Sequence, residues 1–263
     1  MSLRSRLGTA RSLVMSSLCR RVVPFAGRKA IVSFSFDDFP RTALTAGGSI
    51  LEEAGARGTY YAAAALMNTS DELGEHFTAP DLFAVLERGH ELGNHTFGHI
   101  SSRSVSCSEF CSNVEQGRRA FEERTGVNPQ NFSYPFGDVT LRAKQAVGSK
   151  VASARSITPG CNGPEIDLNL LRANKLYGDI DQASRLNALI RENVRRKSWL
   201  IFYTHDVRPR PSVYGCTPEL FESVVSSAVA SASEILPVGQ ALISLGIQPA
   251  AAREAEPARA ARS

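Results

Sequence analysis

The sequence predicts an α/β fold, a distorted or incomplete (β/α) barrel of seven to eight strands. Short β-rich runs alternate with helical patterns along most of the chain, which is typical of a mainly parallel sheet covered by helices. Seven or eight such units favour a barrel over an open doubly wound sheet. The 263 residues are enough for one barrel, which commonly needs roughly 250. The sequence contains neither of the glycine-rich phosphate-binding signatures, so nucleotide binding is not expected.

The predicted strands are apolar runs rich in β-branched and aromatic residues, and the predicted helices lie between them. The strands are expected at 30–36, 59–63, 90–94, 131–134, 150–154, 199–204 and 235–238. The helices are expected at 43–54, 80–88, 107–124, 138–147, 181–196, 218–231 and 238–245. Capping signals support two of these helices. Ser106 precedes Glu109 in a capping-box pattern, and Thr217 precedes a proline at the first helical position.

The composition limits the classes of partner. The formal net charge is only +4, and the basic residues are scattered outside the N-terminus, so no nucleic-acid partner is expected. The five cysteines show no paired spacing. This favours a reducing compartment over a disulfide framework.

The two ends of the chain differ from its middle. Residues 1–28 are expected to form a basic amphipathic segment, 29–247 the main folded domain, and 248–263 a polar, disordered tail. Residues 1–25 carry no signal-peptide pattern, so a cytoplasmic location is expected. Apolar residues at helical spacing with arginines around them can lie on an anionic membrane surface, or the helix can dock on the protein's own body.

Two pairs of polar residues follow predicted strands. Asp37 and Asp38 come directly after the first strand. Neighbours in an extended segment point in different directions, so one carboxylate can ligate a metal while the other holds a water. His95 and His99 are four residues apart and can reach one ion from a single helical turn. Three ligands of mixed oxygen and nitrogen type leave positions open for water and substrate, as in catalytic zinc sites.

Two further strand ends carry candidate chemistry. The segment Tyr134-Pro135-Phe136-Gly137 forms a stiff turn in which a backbone N–H can stabilise an oxyanion. His205 follows the longest apolar strand of the second half, and a histidine at that position is a candidate proton donor near neutral pH.

Taken together, these segments resemble the polysaccharide deacetylase family, also called carbohydrate esterase family four or the NodB-like deacetylases. The order and rough spacing match over about residues 30–245. The matching motifs are Ser35-Phe36-Asp37-Asp38-Phe39, His95-Thr96-Phe97-Gly98-His99, Ser133-Tyr134-Pro135-Phe136 and Tyr203-Thr204-His205.

The resemblance implies a role for each matching residue. Asp38, His95 and His99 are implied as the ligands of one divalent metal, with zinc as first choice and cobalt or nickel as alternatives. Asp37 is implied as the general base and His205 as the general acid. The backbone N–H of Phe136 is implied as part of the oxyanion hole. Tyr134, Pro135, Phe136 and Tyr203 are the implied substrate-binding residues.

The sequence departs from the family pattern at several positions. Ser133 stands where many members carry an arginine that orients the base, and Arg172 is the candidate replacement from the fourth motif. Phe39 replaces the glycine after the aspartate pair, and Tyr203 stands where the family has a leucine beside the acyl group.

The expected function is metal-dependent removal of N-acetyl groups from an amino-sugar polysaccharide, oligosaccharide or lipid-linked sugar. Two alternatives stay open at this point. One is a metal-independent amidase of the same fold that acts on a small cyclic amide or ureide. The other is a non-catalytic carbohydrate-binding relative, which would need neither a base nor an acid.

Overall fold

The structure is a computed structural model that describes residues 17–247. The predicted N-terminal helix, apart from its last residues, and the tail at 248–263 lie outside this range. The described strands are β1 Val22–Pro24, β2 Ile31–Asp37, β3 Thr59–Ala62, β4 Ser70–Asp71, β5 Gly74–Glu75, β6 Glu91–Asn94, β7 Asn131–Ser133, β8 Ser153–Arg155, β9 Glu165–Asp167, β10 Asn174–Lys175, β11 Trp199–Thr204 and β12 Glu234–Ile235. The α-helices are α1 Ser49–Glu53, α2 Ala79–Glu87, α3 Cys107–Thr125, α4 Leu141–Gly148, α5 Ala183–Arg196, α6 Pro218–Ala230 and α7 Val238–Ser244.

Seven strands form one parallel sheet in the order β10-β11-β2-β3-β6-β7-β8, and β12 pairs with the first half of β2. Strands β2 and β11 are buried along their whole length, as expected for strands covered on both faces. Their register runs from Ile31 opposite Trp199 to Phe36 opposite Thr204. Because both strands end at the same level, Asp37 and His205 emerge side by side.

The two edges of the sheet approach each other through residues 168–176. Leu171 donates its N–H to the Ala154 carbonyl of β8 at 2.8 Å, and Leu176 donates to the Tyr203 carbonyl of β11 at 2.9 Å. The sheet therefore curls into an incomplete barrel of parallel strands. The predicted fold class is confirmed.

The helical layer begins irregularly. The predicted helix over 43–54 starts as a π-helical turn, Ala43–Gly48, and becomes α-helical only in α1. Two adjacent glycines let this turn lie tightly on the sheet. A Cβ at Gly47 would sit 2.8 Å from the Phe36 ring, and one at Gly48 would sit 2.8 Å from the Tyr60 hydroxyl. This close approach positions the chain that follows the Asp37–Asp38 pair.

The capping signals were correct. The Ser106 hydroxyl accepts a hydrogen bond from the Glu109 backbone at 3.2 Å, and Thr217 does the same for Leu220 at 3.3 Å. Helix α3 ends at Gly126 in a left-handed conformation, as glycine favours at this position.

Two antiparallel pairs were not predicted from the sequence. Strand β1 pairs with β9, and β4 and β5 form a short hairpin. Near β1, Arg20 forms an ion pair with Glu165 at 3.3 Å, and the Arg21 backbone donates to the Asp167 carboxylate at 3.1 Å. Residues 17–28 of the predicted N-terminal segment thus belong to the described structure. Within them, Val22–Pro24 pairs with β9 as strand β1.

All five cysteines lie within the described range and none forms a disulfide, as their spacing predicted. Within residues 17–247, none of the helices combines the length and apolar character that crossing a bilayer requires.

Candidate active site

The functional side chains gather where the parallel strands end. They come from the carboxyl ends of five strands of the sheet, as is usual for (β/α) barrels. Asp37 ends β2, Arg155 ends β8, and the other three groups directly follow β6, β7 and β11. Those three groups are His95 with His99, Phe136, and His205.

Asp38, His95 and His99 converge, and their ligand atoms all lie within 4.8 Å of one another. The Asp38 Oδ1 atom is 3.0 Å from His99 Nε2 and 3.4 Å from His95 Nε2. Neither contact satisfies a hydrogen bond for Oδ1, which is buried without a partner. A buried carboxylate oxygen without a donor is costly. An oxygen and two imidazole nitrogens converging on one point suit a divalent cation such as zinc.

His95 is oriented by the chain behind it. Its Nδ1 lies 2.7 Å from the Ser133 carbonyl oxygen. A carbonyl only accepts, so Nδ1 carries the proton and Nε2 presents its lone pair to the cleft. Burial lowers the pKa of His95 to about 4, which keeps this imidazole neutral as a metal ligand must be.

The other two ligands influence each other's charge. Burial raises the pKa of Asp38, but the close contact with His99 and the electrostatic effect of the surrounding histidines outweigh burial, and the net pKa lies well below its usual range. Burial lowers the pKa of His99, but the contact with Asp38 and the charges of Asp38, Asp37 and Asp71 together outweigh burial, and the net direction is upward. The carboxylate is therefore ionised, and His99 is the candidate ligand for which a proton competes most strongly.

The backbone that carries Asp38 is left-handed at two successive non-glycine residues, with φ of 61° at Asp38 and 55° at Phe39. Such a conformation is uncommon for a bulky residue. Tertiary contacts maintain it here. The Phe39 ring stacks on Phe77 with centroids 5.1 Å apart, and the Asp38 carbonyl lies 3.1 Å from Nδ1 of the buried His76. Packing thus stabilises a turn for which the family pattern uses glycine.

Asp37 is bound by Arg155, not by Arg172. The Arg155 Nη2 atom donates to the Asp37 carboxylate and, at 2.6 Å, to the Ser133 hydroxyl. The Arg172 guanidinium instead donates to the Pro159 carbonyl at 2.9 Å. The prediction that Arg172 orients Asp37 is therefore wrong. Residue 172 lies past the edge of β8, and its side chain points away from the cleft toward the 159–160 turn.

His205 faces the same cleft from the end of β11. Its Nδ1 lies 3.1 Å from the Tyr214 carbonyl oxygen, so Nδ1 carries the proton. Its Nε2 lies 3.7 Å from Asp38 Oδ2. The free nitrogen of His205 thus points to the region where the metal-ligand atoms converge.

These groups line a cleft with a volume of about 460 Å³, within the size range of small-molecule sites. Phe136 and Tyr203, two of the four predicted substrate-binding residues, line it. Tyr134 and Pro135 do not, and their assignment to the substrate is corrected. Both are buried, and the Tyr134 ring packs edge-on against Phe132 in the core with centroids 5.0 Å apart.

The cleft also contains residues that the sequence did not single out. Tyr177 and Tyr214 stand beside His205, and the β4–β5 hairpin contributes Asp71 and Glu72. None of these belongs to a motif quoted above. Hydrophobic periodicity does not reveal them because they lie in loops and in very short strands.

Residues 26–151 match the family model described as polysaccharide deacetylase. The resemblance to the polysaccharide deacetylase family is thus confirmed for residues 26–151. The matched range includes Asp37, Asp38, His95 and His99 and the Phe136 turn. It ends before Arg155 and His205, whose places in the site are known from the structure alone. No curated protein sequence matches this chain.

Solved structures of similar fold include three deacetylating enzymes. An acetyl xylan esterase of family 4 from Clostridium thermocellum, solved with a cobalt ion, is 19% identical, covers 84% of this chain and 95% of its own, and has a TM-score of 0.59. A chitin deacetylase from Colletotrichum lindemuthianum is 17% identical, covers 82% and 88%, and has a TM-score of 0.58. A peptidoglycan deacetylase from Bacillus subtilis is 16% identical, covers 87% and 95%, and has a TM-score of 0.51. At these identities the comparison concerns the fold.

Proposed function

We propose that this protein is a metal-dependent hydrolase that removes N-acetyl groups from an amino-sugar polysaccharide, oligosaccharide or lipid-linked sugar. The observation that carries the proposal is the joint presence, in one cleft, of a carboxylate held by Arg155 and a free imidazole nitrogen on His205. These two groups flank the Asp38–His95–His99 cluster.

Asp38, His95 and His99 would hold the divalent ion, for which zinc is the first choice and cobalt or nickel are alternatives. When bound, the ion supplies Lewis-acid polarisation of the acetyl carbonyl and makes water a stronger acid. The orphaned Asp38 Oδ1 and the lone pair presented by His95 Nε2 support this assignment.

Asp37 acts as the general base and accepts a proton from the attacking water. An amide also has a poor leaving group, because the departing amine must be protonated. In its imidazolium form His205 can deliver a proton from Nε2 to the amine, while its Nδ1–H still donates to the Tyr214 carbonyl. General acid–base groups of this kind contribute about 10²–10⁴-fold each.

The cleft walls suit a sugar ring. Phe136 is 61% exposed and its ring centroid lies 4.5 Å from that of His99, so its face is available for stacking beside the metal ligands. The oxyanion role of the Phe136 backbone N–H is part of the same proposal. Its φ of 60° places this residue in a tight turn at the cleft.

Acetate release is the direct test. The protein, loaded with zinc, is incubated with chitooligosaccharides, peptidoglycan fragments, lipid-linked N-acetylated sugars and O-acetylated xylan, and free acetate is measured. We expect release from an N-acetylated substrate, lost in Asp37→Asn. Glu222→Gln, on the exposed face of α6, is the matched control and should keep full activity.

Other outcomes separate the alternatives. Hydrolysis of a small cyclic amide or ureide without metal would replace the proposal with the amidase. Sugar binding without acetate release from any substrate would indicate a binding protein. Release from xylan alone would indicate an esterase.

A further inference from the structure

The partner of His205 is a backbone carbonyl in the loop 206–216. The Tyr214 carbonyl oxygen accepts from the His205 backbone N–H at 3.2 Å and lies 3.1 Å from its Nδ1. A backbone carbonyl can orient an imidazole only if the loop that carries the carbonyl is itself fixed in position. The orientation of the His205 ring therefore depends on what fixes residues 206–216.

Asp206 is the group to which this loop is bound. Its side chain is fully buried. Oδ2 accepts from the Ser212 backbone N–H and from Arg208 Nε, both at 2.8 Å, and Oδ1 accepts from the Ser212 hydroxyl at 2.5 Å. A buried carboxylate with three charge-assisted or short hydrogen bonds is a strong anchor. All three donors belong to the loop.

The anchor is connected to Tyr214 by short steps. The Tyr214 N–H donates to the Ser212 hydroxyl at 3.1 Å, the same hydroxyl that donates to Asp206. At the end of the loop, Cys216 N–H donates to the Asp206 carbonyl at 2.9 Å. Gly215 packs directly on the carboxylate, because a Cβ there would lie only 2.3 Å from Asp206 Oδ1. The residues on both sides of Tyr214 are thus fixed to Asp206.

We propose that Asp206 is a positioning residue that acts through Ser212 and Tyr214 to hold the His205 ring in its productive tautomer and rotamer. The tautomer of an imidazole is set by the hydrogen bond of its other nitrogen. With the Tyr214 carbonyl accepting from Nδ1–H, Nε2 faces the leaving group and is the nitrogen that takes up a proton and then releases it to the amine. The inference rests on the proposed function, in which His205 protonates the departing amine.

The test compares substrates that differ in their need for an acid. Asp206→Asn replaces one acceptor oxygen with an NH₂ group that faces two donors, and Ser212→Ala removes the bridge to Tyr214. In both variants we expect kcat on an N-acetylated chitooligosaccharide to fall about 10-fold or more, since an acid contributes about 10²–10⁴-fold. The fall with an aryl acetate ester, whose leaving group needs no proton, should be at least about fivefold smaller. KM should change by less than about threefold.

Ser231→Ala is the matched control. That hydroxyl also bonds to a backbone carbonyl, at 2.7 Å, but lies at the end of α6, and the variant should match wild type on both substrates. Equal losses on amide and ester in the Asp206 and Ser212 variants, or no loss, would overturn the inference. If Asp206→Asn does not fold, Ser212→Ala decides alone.

A spectroscopic measurement separates this inference from the proposed function. Nitrogen-15 NMR of neutral His205 should show the Nδ1–H tautomer in wild type and a mixture of tautomers in Ser212→Ala. An unchanged tautomer would refute the positioning role. Failure of wild type to release acetate from any amide would refute the proposed function but leave the tautomer result valid.

Discussion

Arg155 binds Asp37 across the mouth of the barrel, from the end of β8 to the end of β2. The guanidinium is fully buried and lies 5.0 Å from the ring centroids of both Tyr61 and Tyr203. Burial lowers the pKa of Arg155, but the Asp37 carboxylate together with Tyr61 and Tyr203 outweighs burial, and the net direction is upward. The guanidinium therefore stays charged and fixes the Asp37 carboxylate in one orientation.

The first prediction follows from this pair. Arg155→Lys should lower kcat/KM by about 10- to 100-fold, because an ammonium group cannot fill the planar site between two rings or reproduce the guanidinium geometry at Asp37. Metal content should be unchanged, since Arg155 contacts none of the three candidate ligands. Arg172→Lys is the control and should stay within about threefold of wild type. A large loss in Arg172→Lys with a small one in Arg155→Lys would reverse the assignment.

The second prediction separates the base from the metal site. Asp37→Asn should retain one equivalent of metal but lose about 10²-fold or more in kcat, because the amide cannot accept the proton of water. Metal content by elemental analysis and acetate release are measured on the same sample. Near wild-type turnover in this variant would show that another group activates the water.

The third prediction concerns the ligands. His99→Ala should lose the metal, because it removes one of only three side-chain donors. The control is His90→Gln. His90 lies at the opposite end of β6, where its Nε2 atom is 2.7 Å from the Glu52 carboxylate. The metal content of this variant should therefore match that of the wild type. Equal metal content in His99→Ala and wild type would contradict the assignment of the site.

The fourth prediction is the pH dependence of metal binding. The pKa of His95 is lowered to about 4 by burial, so this residue carries no proton to displace above pH 5. The pKa of His99 is raised, so its proton must leave when metal binds near pH 6. Affinity should rise about tenfold per pH unit below the pKa of His99 and level off above it, with about one proton released.

Chelator competition for zinc at a series of pH values, with calorimetry in two buffers to count protons, checks this. Release of two protons near pH 6 would show that His95 is also protonated. Affinity that does not change with pH would show that His99 is not a ligand.

Much of the fold could be predicted because its signals are local. The long buried strands carry their own apolar runs, and the helix ends at Ser106 and Thr217 carry their own caps. The hairpin at 70–75 and the β1–β9 pair could not be predicted, because strands of two or three residues have too few side chains to show an alternation. The pairing of these short strands depends on tertiary contacts with the rest of the domain.

Five catalytic or ligand candidates were singled out from short motifs, namely Asp37, Asp38, His95, His99 and His205, but the partner of Asp37 was not. Arg155 and Asp37 are 118 residues apart, and only the curl of the sheet brings them together. The predicted strand ended at residue 154, one residue too early, which left Arg155 in a loop. Tyr134 was assigned to the substrate because it stands in a motif. In the structure, the local turn buries Tyr134 in the core and exposes Phe136 at the cleft.

In the proposed metal site, the left-handed turn at Asp38 and Phe39 links metal affinity to core packing. The direction of the Asp38 carboxylate depends on the next residue, Phe39, whose ring is held by stacking on Phe77 in the core. By linkage, an ion that binds only the folded turn stabilises the whole domain by RT ln(1 + [M]/Kd). A chelator should therefore lower the melting temperature. A substitution that makes a cavity at Phe77 should lower the affinity for the ion under conditions in which the barrel is still folded.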